Sequence, residues 1–485
     1  VPDTHPSKPQ HTEPQHPEPQ HPEPQHPETQ QSETDPSASG QSEAFSSLPL
    51  PAALVDNLES LGYLAMTPIQ AASLPPILRG QDVIGQGKTG SGKTAAFGLG
   101  LLSALDVSSF QVQALVLCPT RELADQVGEE LRRLARMLGN VKILALCGGT
   151  PLGPQLNSLA HGAHVVVGTP GRIEEHLRKG SLDLSSLAVL VLDEADRMLD
   201  MGFQAALDTI VAATPKARQT LLFSATYGDS VRPVAERMLR EPVIVEVDST
   251  HDDESIRQHF HQVADEPARL AALSQLLLHY QPESSVVFCN TRRETQEVAD
   301  QLLAAGFSAE ALHGDLEQRD RDQTLIRFAN KSLSVLVATD VAARGLDIDA
   351  LDAVFNYQIA RELEVHVHRI GRTGRAGARG IACTILTEKE AYRLERLEAF
   401  LGETLKLEPL PGRSSKASEP FQPRMATLQL DVGKKQKIRP GDVLGALTNG
   451  DDAIGGDQVG KIKVLDRTAY VAVERSIAKQ ALATL

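Results

Sequence analysis

Short apolar runs recur along the chain between Leu48 and Val247. They are ALVLCPT (114–120), KILALCGG (142–149), HVVVGTP (164–170), VLVLDEAD (189–196), TLLFSAT (220–226) and PVIVEVD (242–248). Each is rich in β-favouring residues and ends in Gly, Pro, Thr or Asp. Longer segments separate most of them. In RELADQVGEELRRLARML the apolar residues return every three or four positions, which predicts a helix. Continuous apolar strands alternating with helices predict a parallel sheet covered on both faces.

The pattern then starts again with SVVFCNT (285–291), SAEALHGD (308–315), VLVATD (335–340), AVFNY (353–357) and IACTIL (381–386). This predicts an α/β protein with two tandem parallel-sheet domains, residues 48–248 and 249–410. The polar stretch STHDDES (249–255) is the expected linker between them. A second linker, PGRSSKASEP (411–420), leads to a small module over 421–485. There MATLQLDV, KKQKIRPGD, VGKIKVLDRTAYVAVER and a helical SIAKQALATL predict alternating strands and one helix, a compact α+β unit. Three domains in 485 residues fit roughly 150 residues per domain.

Residues 1–47 lack the pattern altogether. The unit QHPEP places His11, His16, His21 and His26 five residues apart, and large apolar residues are nearly absent. Such a segment buries too little surface to offset its ordering entropy, so a disordered tail with polyproline character is expected. Its histidines could hold a metal weakly; a solvated spacer is the reading adopted. The chain begins with Val rather than Met, so either a true start elsewhere or a missing initiator is expected.

Net charge is −15, which taken alone argues against a nucleic-acid binder. Its distribution weakens that argument. Residues 1–47 carry eight acids and one base, whereas Arg413 to the end carries twelve Lys plus Arg against eight acids, a net of +4. The four cysteines, Cys118, Cys147, Cys289 and Cys383, lie far apart without a CxxC pair. That excludes a zinc knuckle or disulfide framework and predicts reduced, cytoplasmic thiols. No stretch approaches the roughly 18–20 apolar residues of a membrane span, and the start is no secretory signal.

Gly87-Lys88-Thr89-Gly90-Ser91-Gly92-Lys93-Thr94 matches GxxxxGK[ST], between the strand-like DVIGQ and a helical TAAFGLGLLSAL. In this context backbone N–H groups converge on phosphate oxygens at a helix N-terminus. Lys93 would reach the terminal phosphates, and the Thr94 hydroxyl would hold Mg²⁺. Asp193-Glu194-Ala195-Asp196 follows the strand LAVLVL. Asp193 is the second expected metal position, and Glu194 would orient or deprotonate the attacking water. His368-Arg369-Ile370-Gly371-Arg372-Thr373-Gly374-Arg375 makes Arg372 and Arg375 candidate arginine fingers from the second domain.

With these motifs in order, the chain from about 45 to 400 resembles the DEAD-box RNA helicases, whose two domains are RecA-like. Gly62-Tyr63-Leu64-Ala65-Met66-Thr67-Pro68-Ile69-Gln70 is similar to their Q motif, with Phe45 upstream. The resemblance implies that Thr67 and Gln70 serve ATP, with Gln70 pairing adenine, Phe45 stacking on it and Asp347 near the ribose. It implies that Ser224, Thr226 and His368 couple hydrolysis to unwinding. It implies RNA contact by Pro119, Thr120, Arg121, Gly149, Thr169, Pro170, Gly171 and Arg172 in the first domain. In the second domain it implies RNA contact by Arg292, Gly314, Gln318, Arg321, Thr339 and Asp340. The family often carries Ala where Gly87 stands; no loss is expected.

The closing module resembles the C-terminal RNA-binding domain of DbpA-type bacterial helicases. That resemblance implies an RRM-like fold, recognition of a 23S ribosomal RNA hairpin and a role in large-subunit assembly. Lys434, Lys435 and Lys437, with Arg439, form the basic cluster expected at phosphates. Tyr470 fits a base-stacking ring or a core residue, the core being preferred. The module lacks the aromatic pair of a typical RRM. No fourth strand follows before Leu485, so a shortened module with an open edge is expected. The function implied is an ATP- and Mg²⁺-dependent, monomeric RNA helicase that opens short duplexes. An ATP-gated RNA clamp with little unwinding is the alternative, and a DNA helicase a third.

Overall fold

The computed structural model describes residues 44–87, 90–228, 231–247, 256–343, 351–374, 380–412, 419–449 and 453–485. The expected linker 249–255 and residues 1–43 of the expected tail lie outside them, as does most of 411–420. The first domain includes residues before Leu48. Phe45–Ser47 form a 3-10 turn, and Phe45 is buried in the first domain's core.

Seven strands build the first sheet: β1 (Val83–Gln86), β2 (Ala114–Leu117), β3 (Ile143–Leu146), β4 (Val165–Gly168), β5 (Val189–Asp193), β6 (Gln219–Ser224) and β7 (Val243–Glu246). All pair in parallel, in the order β3-β4-β2-β5-β6-β1-β7. Alternate residues of each strand enter different cores. Ala114 and Val116 join one apolar cluster, while Leu115 and Leu117 join the other. Both faces are dry, so the strands read as unbroken apolar runs.

The second sheet contains β8 (Ile256–Val263), β9 (Ser285–Cys289), β10 (Ala309–Leu312), β11 (Val335–Thr339), β12 (Ala353–Asn356) and β13 (Gly380–Thr387). It is again parallel, ordered β10-β11-β9-β12-β13-β8. The edge strand β8 was not expected. Its sequence, IRQHFHQV, is mostly polar because it pairs along its length only with β13, its other edge meeting the chain at a single bridge, Phe260 to Leu407, and it is half-buried.

The closing module is a three-stranded antiparallel sheet of β14 (Met425–Leu430), β15 (Val459–Val464) and β16 (Ala469–Glu474), ordered β14-β16-β15. Two α-helices accompany it, not the single one expected: Pro440–Thr448 and Ala478–Thr484. The first was hidden in a Pro- and Gly-containing stretch. Its Pro440 opens the helix where no N–H is needed, and Asp442 caps it by accepting from Arg439 N at 2.8 Å.

The helix Arg121–Leu134 shows how pattern becomes packing. Thr120 caps it, its hydroxyl accepting from Leu123 N at 3.3 Å. Leu123, Ala124, Val127, Gly128, Leu131 and Leu134 form its buried stripe. Gly98 of the neighbouring helix lets the two axes approach: a Cβ there would sit 2.9 Å from Leu131 Cδ2. Leu131→Ala should cost about 2–5 kcal/mol of stability, read by urea unfolding of the full chain. A cost below about 1 kcal/mol would show that this contact relaxes freely.

Candidate nucleotide and nucleic-acid site

Parallel strands end on one edge, and the chemistry collects there. After β1, the phosphate loop is braced from beneath by the Q motif. Thr67 N donates to Gln70 Oε1 at 2.9 Å, Thr67 Oγ1 to Ser91 O at 2.8 Å, and Gln70 Nε2 to Gly92 O at 3.1 Å. Gly92 has φ +96°, and a Cβ there would meet Gln70 Nε2 at 2.5 Å and Thr67 Oγ1 at 2.8 Å. Only glycine lets the loop lie on that brace. Gln70 thus holds the loop, with one N–H and one lone pair left for a base. Phe45 is 3% exposed, its ring edge-on to Tyr63 at 6.3 Å. A Cβ at Gly87 would lie 3.1 Å from Ser91 Oγ, so glycine relieves this turn rather than weakening it.

Lys93 and Thr94 open the following helix, and Lys93 Nζ donates to Gly87 O at 2.6 Å. Asp193 ends β5, 3% exposed. Burial pushes its carboxyl up to about 7, against the pull of Lys93. Asp193 Oδ1, Ser91 Oγ and Ser224 Oγ are all buried without a hydrogen-bond partner among the described residues. Each such atom costs about 1–3 kcal/mol unless something fills the site. One carboxylate, one hydroxyl and a lysine suit a hydrated divalent ion on phosphate oxygens. No group of three or more His, Cys, Asp or Glu among the described residues could hold a metal otherwise.

Glu194 stands at φ 53°, the left-handed region, and Arg197 Nη1 donates to its Oε2 at 2.6 Å, both side chains buried. Asp196, the last acid of the motif, turns toward β6: Thr226 N and Oγ1 both donate to its Oδ2 at 3.2 Å. Burial alone would raise the Asp196 carboxyl, but Arg197, Lys93 and His368 outweigh it and hold it low.

His368 belongs to the second domain, so that domain reaches this acid. Arg197 of the first domain lines a narrow cleft with His368, Arg369 and Arg372 of the second. Arg372 is 5% exposed. Arg375, Thr89 and Asp347 lie outside the described residues. A second bridge joins the domains at the nucleic-acid side. Glu122 Oε1 accepts from Arg321 Nη2 at 2.8 Å and from Gln318 Nε2 at 3.3 Å.

The remaining expected contacts sit on the same edges in different states. Thr120, Thr169 and Thr339 are helix N-caps or first-turn neighbours. Pro119 precedes Thr120, Pro170 and Gly171 follow Thr169, and Gly149 (φ +72°) lies against the Arg121 guanidinium. Arg292 pairs with Asp315 at 2.6 Å on the surface beside Gly314. Arg172 is engaged locally, donating to Gln155 Oε1 at 2.8 Å and Thr150 O at 3.1 Å. Asp340 is bound bidentately by Arg369, at 2.6 and 2.8 Å, so its carboxylate orients that arginine.

Three family models match along the chain: DEAD/DEAH box helicase over 67–234, helicase conserved C-terminal domain over 268–377, and DbpA RNA binding domain over 427–485. The ATP-dependent RNA helicase DbpA of Escherichia coli (strain K12) is 55% identical over 439 residues, 90% of this chain and 95% of its own. The chain belongs to the DEAD-box RNA helicases. It is an ATP-using, RNA-binding enzyme of the DbpA type, an RNA-dependent ATPase. A Bacillus cereus relative, DEAD-box ATP-dependent RNA helicase CshA, is 44% identical over 73% of this chain and 67% of its own. Among solved structures, S. cerevisiae Dbp5 bound to RNA and ADP BeF3 superposes with TM-score 0.67 at 28% identity, over 76% of this chain and 95% of that one.

In this helicase the DbpA-type module leans on both RecA-like domains. Thr427 on β14 bonds Ser332 at 2.6 Å and Asn330 at 3.1 Å in the second domain. Lys463 on β15 pairs with Glu129 of the first at 2.7 Å. Val471 and Val473 face the module's helices, so Thr427 and its cross-strand partner Ala472 lie on the opposite sheet face, against the helicase core. Tyr470 is 3% exposed, a core residue. Lys434, Lys435 and Lys437 are exposed on a separate loop.

Sequence reasoning did not single out Glu122, Asp196, Arg197 or Arg369. Each stands inside or beside a motif but acts by pairing with another side chain, which motif spacing does not reveal. Among the described residues, no helix is long and apolar enough to cross a membrane.

The buried Asp193 yields a signed prediction. Its folded value, about 7, exceeds the unfolded one near 4, so the native state holds a proton that the unfolded chain releases. That stabilisation is present below about pH 4 and is lost as pH rises through 7. At pH 8 Asp193→Asn should raise the first thermal transition of the nucleotide-free protein by a few degrees while abolishing ATPase. An unchanged or lower transition would refute the strained carboxylate.

Proposed function

We propose that this helicase hydrolyses ATP·Mg²⁺ in the cleft between its RecA-like domains, and that hydrolysis locally opens short RNA duplexes. We further propose that its module directs it to 23S ribosomal RNA in a precursor of the large subunit. One observation carries the chemistry: Lys93, Asp193 and Glu194 are buried in one domain, and Arg197, which holds Glu194, lines a cleft with His368 and Arg372 of the other.

Thr94 and Asp193 would hold Mg²⁺, which neutralises phosphate charge as it develops. Lys93 binds the terminal phosphates. Glu194, locked by Arg197, orients the attacking water. Arg372, with Arg375, brings positive charge to the γ-phosphate from across the cleft. Gln70 reads adenine with its remaining hydrogen-bonding capacity, Phe45 backs the base pocket, and Asp347 serves the ribose. Asp196 joins the metal-side helix to Thr226, just after β6, and senses His368. It thereby links the nucleotide to the position of the second domain.

RNA runs over Thr120, Arg121, Gly149, Thr169 and Gly171 in the first domain. In the second it meets Arg292, Gly314, Gln318, Arg321 and Thr339. N-cap hydroxyls and helix-start amides suit phosphates rather than bases, so this tract is sequence-tolerant. Sequence choice falls to the module, where Lys434, Lys435 and Lys437 supply phosphate contact on an exposed loop. In this reading the protein acts as a monomer in the cytoplasm; four buried free thiols suit that reducing compartment.

Glu194→Gln should lower kcat by about 100-fold or more with ATP affinity kept, measured in single-turnover hydrolysis. A fall below about threefold would remove Glu194 from the water-orienting role. ATPase stimulation by a large-subunit rRNA hairpin should exceed that by a scrambled hairpin and by poly(A). Replacing Lys434, Lys435 and Lys437 together by Ala should remove roughly tenfold of that preference and leave the poly(A) rate intact. Equal stimulation by all three RNAs would refute the ribosomal assignment while leaving the RNA-dependent ATPase.

A further inference from the structure

The second sheet reverses its direction of growth beside β9. From β9 the chain builds outward to β10 and β11 on one side, then crosses to β12 on the other. Doubly wound sheets take ligands in the crevice outside the carboxyl ends of the strands at such a point. Here the crevice is a cavity of about 310 Å³, within the range of small-ligand sites. Asn290 and Thr291 after β9 and Gln358 and Arg361 after β12 line it. None of these residues has a role in the nucleotide or RNA site described above.

At the open end the unmatched charge is positive, while deeper in the Glu294 carboxylate has no ion-pair partner among the described residues. Arg293 is paired with Glu297, and Glu390 is held by the fully buried Arg269. Arg361 and Arg396 are exposed, share an adjoining hollow, and form no ion pair or hydrogen bond among the described residues. Tyr392 lines the same hollow, 53% exposed, with the Arg393 guanidinium 5.7 Å from its ring centroid. An exposed aromatic ring among guanidinium groups is a stacking platform for a base. Deeper in, Glu294 Oε1 accepts from Gln358 Nε2 at 2.7 Å, while Oε2 is buried with no partner among the described residues. An unfilled acceptor calls for a donor such as a ribose hydroxyl or a base amine.

We propose that this crevice seats one nucleotide of the RNA strand beyond Arg292, with its phosphate on Arg361 and Arg396, its base on Tyr392 and a hydroxyl or amine on Glu294. The proposal rests on the RNA reading of Arg292, whose chain neighbours Thr291 and Arg293 line the cavity. A free mononucleotide offers the same chemistry. The RNA strand is preferred because the site adjoins its track and has phosphate-binding arginines at the open, exposed end.

The test is fluorescence anisotropy of the full chain, its ATP site saturated with ADP and beryllium fluoride. The probes are labelled oligouridines of about 6 and about 12 nucleotides. The double variant R361A/R396A should bind the longer strand roughly 5- to 20-fold more weakly, with a salt slope lower by about 0.7, one phosphate's worth on a single strand. The shorter strand should bind as in wild type. Glu294→Gln should weaken the longer strand without changing the salt slope. Wild-type affinity of both variants for the longer strand overturns the site. Displacement of the longer strand's extra affinity by millimolar AMP, absent in R361A/R396A, assigns the crevice to a free nucleotide and overturns the RNA assignment. Failure of wild type to bind either strand refutes the RNA reading itself, and the site with it.

Discussion

A carboxylate buried at the end of a strand is the constraint around which this enzyme is organised. Asp193 is held out of water at the edge of a parallel sheet, where its own burial favours the neutral acid. Lys93 opposes that, but does not overcome it. The site therefore has unused affinity for positive charge. The same edge carries Ser91 and Ser224, whose hydroxyls are buried and unpartnered among the described residues. Stability is surrendered here by a core that could have been apolar, and the surrounding sheet tolerates it because both of its faces are fully packed.

Charge pairs relay that site to the second domain. Asp196 is tied to Thr226 by two hydrogen bonds and feels His368; Glu122 takes Arg321 and Gln318 from the far side. These links involve partly or fully buried groups, where charge interactions are screened little by salt. Together they join the two domains without any single rigid connector. The cost is local carboxylate crowding: burial raises both Asp125 and Asp322 near the Glu122 bridge, with Arg121 pulling the other way.

The C-terminal module is a DbpA-type RNA-binding domain. One face of its sheet is turned onto the helicase core through Thr427 and Lys463, while the Lys434–Lys437 loop stays exposed. An RRM-like sheet ordinarily offers that face to RNA. Here the absence of an aromatic pair and the docking of the face agree with one another. The loop carries the cationic charge instead. The Lys463–Glu129 pair is exposed and so contributes little by itself; the docking rests more on the half-buried Thr427 cluster.

The sequence by itself determined the two parallel sheets, since strands dry on both faces must be continuously apolar and cannot hide. It determined the phosphate loop and the acid pair for a related reason: glycine at positive φ and an acid closing an apolar strand are local necessities. It missed β8, because an edge strand may be polar, and the helix Pro440–Thr448, because its start signal is a proline that usually stops one. Tertiary structure alone decided which charges meet. Asp340 faces Arg369, Arg172 turns inward, and Glu122 bridges domains some two hundred residues apart in sequence. Such pairings depend on where separate elements end in space. Periodicity along one strand or helix carries no information about that.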